Sequence, residues 1–135
     1  MNARTRKVIA RPLTLKDAFE TEFARRELER RAAEEAERRQ QAADLEGAEA
    51  LHAALVADRD FLESRGLVAD RRRYMVSIDH ARFRIAAYFE AGKVAVSLSD
   101  KRGAPTASTP RRQDTAEDAA DALRLIALML VDEIR

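Results

Sequence analysis

The chain has 135 residues, with 25 Lys and Arg against 24 Asp and Glu, so its net charge of +1 marks it as neither a polycation nor a polyanion. Cysteine is absent, which excludes disulfides, thiolate metal centres and cysteine nucleophiles and fits a reducing compartment. Five Phe, two Tyr and no Trp confine the aromatic core to one modest domain.

The near-neutral total conceals charge blocks. Residues 1–13 carry four cations and no acid, 14–64 hold 8 Lys and Arg against 14 Asp and Glu, 65–112 hold 11 against 4, and 113–135 hold 2 against 6. Such sorting predicts separate surfaces with separate partners.

In residues 1–13, Arg4, Arg6, Lys7 and Arg11 surround only Val8, Ile9 and Ala10, far short of a secretory apolar stretch, so a basic flexible arm is expected. Thr14 is a candidate N-cap with Asp17 placed to close a capping box, and no Gly or Pro interrupts the chain from Leu15 to Gly47. A long charged helix over 14–46 follows, supported at i and i+4 by Glu22–Arg26, Glu27–Arg31, Glu34–Arg38 and Glu35–Arg39. Its apolar residues are Leu15, Phe19, Phe23 and Leu28, then only alanines, which suits a solvated spacer, a weak alanine-seamed coiled coil or a partner-binding helix.

Residues 47–135 are expected to form a small α-β-β-β-α domain. Ala48, Leu51, Leu55 and Leu62 keep helical spacing, Asp58 is placed to cap a new turn, and Gly66 supplies a left-handed terminus. The apolar period then changes to two. Tyr74, Val76 and Ile78, then Phe83, Ile85, Ala87 and Phe89, then Val94, Val96 and Leu98 mark three strands, joined by short turns near Asp79–Ala81 and at Glu90–Lys93. Asp100–Asp114 reads as an exposed loop, with Gly103, Pro105 and Pro110. Thr115 and Asp118 then form a capping-box pattern for a last helix striped by Ala119, Leu123, Ile126, Leu130 and Ile134 and widened by Ala122, Leu125 and Met129. The fold class is α+β: a long charged helix, a short helix, and a three-stranded antiparallel meander covered on one face by a C-terminal helix. The apolar window Leu123–Val131 is about half the roughly 20 residues of a membrane span, so a cytoplasmic protein with no membrane partner is expected.

The sequence offers little for catalysis. The glycines at 47, 66, 92 and 103 stand alone, which excludes a phosphate-binding glycine loop and a dinucleotide fingerprint. His52 and His80 are the only imidazoles and have no metal-ligand spacing around them. Ser77, Asp79 and His80 contain the atoms of a nucleophile, an orienting acid and a base, but a strand and its turn aim them apart. No catalytic residue, metal ligand or cofactor is expected.

What remains is a basic sheet face. If the last helix covers the apolar residues, the opposite face shows Arg73, Met75, Ser77, Arg82, Arg84, Tyr88, Lys93, Ala95 and Ser97, with Arg71, Arg72, Lys101, Arg102, Arg111 and Arg112 at its rims. Phosphates would be neutralised there while Tyr88 offers a stacking plane. The sequence therefore points to a non-enzymatic binding module that takes nucleic acid on this face. The alternative is a structural or adaptor protein that homo-oligomerises and binds a protein partner through residues 14–46.

Overall fold

The computed structural model describes residues 13–101 and 110–134, and the chain divides into two compact units, Met1–Arg38 and Arg39–Arg135. Helix α1 spans Leu15–Ala57 and helix α2 spans Arg59–Ser64. Five strands follow, β1 (Val68–Arg72), β2 (Met75–Asp79), β3 (Phe83–Glu90), β4 (Lys93–Asp100) and β5 (Arg112–Ala116), and then helix α3 (Ala119–Ile134). All neighbouring strands are antiparallel in the order β1-β2-β3-β4-β5, so the sheet is a meander.

In the first unit the Thr14 hydroxyl accepts the N–H of Asp17 at 3.0 Å, the expected helix start. The ion pairs differ from the sequence expectation. Arg25 joins Glu22 and Glu29, and Arg30 joins Glu27 and Glu34, so each guanidinium bridges one carboxylate on either side of it. These carboxylates raise the pKa of both arginines, Glu22 contributing most at Arg25 and Glu27 most at Arg30.

The second unit corrects the expected helix boundary at Gly47. α1 continues through Gly47 to Ala57, and Gly47 faces the ring of Phe89: a Cβ built there would lie 2.8 Å from two ring atoms. This glycine allows a close helix–sheet approach rather than ending the helix. Three residues earlier, the buried Asp44 carboxylate accepts the backbone N–H groups of Ala91 and Gly92 at 3.0 and 3.1 Å and the side-chain amide of Gln40 at 3.0 Å. Ala91 and Gly92 form the two-residue β3–β4 turn with φ of 54° and 79°, the left-handed geometry of such hairpins. Asp44 thus fastens α1 to a turn whose N–H groups have no partner in the β3–β4 ladder.

α2 starts after Asp58, whose side chain makes no capping bond. It ends as the sequence predicts. The N–H of Gly66 bonds the Glu63 carbonyl and that of Leu67 bonds the Leu62 carbonyl, with Gly66 at φ 69°.

Among the described residues the sheet has five strands, not three. The expected strands are β2, β3 and β4, whose registers Val76↔Ala87↔Val96 and Ile78↔Ile85↔Leu98 align one apolar face. β1 and β5 escape the period-two pattern because their positions on that face are Ala69 and Arg71, and Arg112, Asp114 and Ala116. β4 and β5 also take residues from both ends of the expected Asp100–Asp114 loop, of which residues 102–109 lie outside the described residues.

Ala48, Leu51 and Leu55 of α1 and Ala122, Leu125, Ile126, Met129 and Leu130 of α3 are buried with this face in a single core. Both helices therefore cover the same side. The α3 stripe is rotated from the expected one: Leu123 is exposed, while Ala119 and Ile134 only flank the core. Its cap is also shifted by one turn. Asp118 accepts the N–H of Asp121 at 2.9 Å and Asp121 reaches back to the N–H of Glu117 at 3.1 Å, while Thr115 belongs to β5. That backbone bond, and then Arg124, hold the Asp121 carboxyl below its usual range.

Candidate functional site

The pleat decides where each expected nucleic-acid contact points. Residues of the face away from the helices run in rows across the strands, such as Asp70–Ser77–Ala86–Ser97–Gln113 and Arg72–Met75–Tyr88–Ala95–Thr115. Arg84 and Lys93 are on this face as expected. So are Asp70 and Asp79, and they change its charge. Arg72 lies 3.6 Å from Asp70, Arg84 lies 3.8 Å and Lys101 3.0 Å from Asp79, and Lys93 lies 3.7 Å from Glu117. The face is a mixed-charge surface with small residues at its centre, where Ser77 is only 3% exposed.

Arg71 and Arg112 are on the opposite, helix-covered face. Arg71 lies 3.9 Å from Glu49 of α1 and donates to the Arg73 carbonyl at 3.0 Å. Arg112 binds Asp132 at 2.6 Å, and neighbouring Arg111 spans Asp100 at 3.0 Å and Glu133 at 2.7 Å. The hydrogen bonds that Arg111 donates to Glu133 first, and then to Asp100, push its pKa up. The last turn of α3 contains two acids and no base, unfavourable beside the negative end of the helix dipole, and these two arginines offset it. Their ion pairs join the start of β5 to the end of α3 at the surface.

Arg73 and Arg82 are in turns, not on the sheet face. Arg73 has φ 59° in the β1–β2 turn and sits 5.6 Å over the Tyr74 ring, and Arg82 is exposed in the β2–β3 turn. Neither forms an ion pair among the described residues, and Arg102 lies outside them. Tyr88 is 43% exposed. The expected basic cluster is therefore dispersed over two faces and two turns.

His80 stacks on Phe83 at 4.6 Å, and its Nδ1 accepts the N–H of Arg82, which gives it a role in the turn. His52 is half-buried on α1. Among the described residues no three His, Asp or Glu side chains gather as metal ligands, and no helix is long and apolar enough to cross a membrane.

Apolar exposure gives a different signal. In the first unit Leu15, Phe19 and Phe23 are 85%, 63% and 56% exposed, and the two Phe rings stack at 5.8 Å. Spacings of four place all three within roughly 80° of the helix circumference, whereas Leu28 falls on the other side. In the second unit a groove of about 330 Å³ between α2 and α3 is lined by Phe61, Arg65, Ala127, Leu130, Val131 and Ile134. The i, i+4 spacing of Leu15, Phe19 and Phe23 was readable in the sequence. The groove was not, since it depends on how α2 meets α3.

Comparison of the chain with family models, curated proteins and solved structures finds no match.

Proposed function

We propose that the protein is a non-enzymatic interaction protein, in which the first helical unit binds a protein partner and the α+β unit is its folded base. The observation that carries this reading is the exposure of Leu15, Phe19 and Phe23 on a helix whose remaining surface is laced with ion pairs. Two stacked, uncovered Phe rings lose the burial worth about 1.5–3 kcal/mol each, which a docking surface recovers. A reducing, cytoplasmic setting accords with the lack of cysteine.

The test is photo-crosslinking in the cells that make the protein, with benzoylphenylalanine replacing Phe19 or, as control, Glu35 on the opposite side of the helix. Protein adducts from position 19 and none from position 35 are expected. Equal yields at both positions would reject the reading.

Nucleic-acid binding is the second reading, favoured by Tyr88 in one row with Arg72 and by Arg73 and Arg82, which lack ion pairs among the described residues. The same crosslinker at Tyr88 distinguishes it: nucleic-acid adducts there, and not at position 19, would move the function to the sheet.

A further inference from the structure

The exposed stripe on α1 has a flanking charge pattern that selects its occupant. Lys16 and Glu27 lie on one side of Leu15, Phe19 and Phe23, and Glu22 lies on the other, each roughly 60–80° from the stripe's centre. We propose that the occupant is the same stripe of a second copy, with the two helices antiparallel and Phe19 of each opposite Phe23 of the other. This rests on the reading of the stripe as a docking surface and specifies what docks there.

Charge decides the direction. In a parallel, in-register pair, flanking residues five apart meet across the interface, so Glu22 of each helix would face Glu27 of the other, two like-charge contacts. In the antiparallel pairing, facing positions run in opposite order. Lys16 then comes within one residue of the partner's Glu27 on the same flank, and symmetry makes this contact twice. Glu27 already bonds Arg30 on its own helix at 2.7 Å, whereas Lys16 forms no ion pair among the described residues. Arg26 continues the stripe toward the C-terminus. Its aliphatic stem covers Leu15 of the other copy, while its guanidinium stays within one turn of Glu22 on its own helix. On the other flank Glu22 comes within two residues of Glu22 of the second copy, one like-charge contact against two in the parallel pair, and Arg25 at 2.6 Å partly neutralises it.

Four Phe and two Leu side chains make a small interface, so the dimer is expected in the micromolar range. Sedimentation equilibrium of the full chain should show it, and Phe19→Ser with Phe23→Ser should return it to monomer. Because these side chains are exposed, the substitutions should leave the thermal transition of the α+β unit unchanged. Lys16→Glu and Glu27→Lys should each raise the dissociation constant roughly three- to tenfold, the scale of two exposed ion pairs. Together they should bring it back to within about twofold of wild type. Circular dichroism checks that Glu27→Lys has not unwound the helix. A monomeric wild type overturns the second copy as occupant, while protein adducts at position 19 would still support the interaction helix. A dimer unaffected by the Phe substitutions overturns both, and a double charge reversal without recovery overturns the antiparallel register.

Discussion

At Gly47 two opposite effects compete. Alanine there would gain roughly 0.8–1 kcal/mol in helix propensity over glycine. The added methyl would stand 2.8 Å from two atoms of the Phe89 ring, which is 5% exposed and has little room to retreat. Overpacking of this kind costs about 1–3 kcal/mol, so Gly47→Ala should destabilise the protein despite its better propensity. Chemical denaturation of Gly47→Ala, Phe89→Leu and the double variant checks this. The expected sign is a double variant more stable than the sum of the single effects predicts, because the smaller side chain makes room for the methyl. The same position shows what a sequence conceals. A glycine in a helical pattern reads equally as a terminator or a close contact, and only a partner 42 positions away, Phe89, distinguishes them. Arg71, Arg111 and Arg112 are ambiguous for a similar reason. Their charge is evident in the chain, but the carboxylates that receive it, on Glu49, Asp100, Asp132 and Glu133, are set by tertiary packing.

Elements differed in legibility according to whether they carry their own apolar face. β2, β3 and β4 do, and period-two alternation located them. The edge strands β1 and β5 are held by the register of β2 and β4 and have almost no apolar pattern to read. α3 has the clearest cap chemistry, and its pH response follows. The Asp121 carboxyl titrates below the ordinary value of about 3.9 because it accepts the Glu117 N–H and then pairs with Arg124. A depressed folded-state pKa contributes stability that is present above the unfolded value and lost as pH falls through the folded one. The stability gap between wild type and Asp121→Asn should therefore be larger at pH 7 than at pH 3. Urea unfolding of both proteins at each pH measures it, and a gap that widens in acid would contradict the assignment.

For the whole molecule, the division into two units predicts which part of the chain folds alone. A fragment of residues 39–135 keeps Gln40, Asp44 and the α1 residues of the core, and it should unfold cooperatively within a few degrees of the full chain. Shortening it to 48–135 removes Asp44 and leaves the N–H groups of Ala91 and Gly92 without their acceptor. Hydrogen bonds to a charged group contribute about 1.5–3 kcal/mol, and the midpoint should drop accordingly even though water can reach the freed N–H groups of this exposed turn. Differential scanning calorimetry of the two fragments beside the full chain tests both statements. Equal midpoints for the fragments would show that the carboxylate does not fasten the turn.

The charged edge strands have one more consequence. β1 reads Val-Ala-Asp-Arg-Arg and β5 reads Arg-Gln-Asp-Thr-Ala, so each outer border of the sheet bears ionised groups on a strand of five residues. An approaching strand from another chain would have to strip water from those groups to continue the hydrogen-bonded ladder, as charged and short borders generally require. The sheet is thereby protected against ribbon-like aggregation while its neighbours in sequence, the helices, stay free to associate.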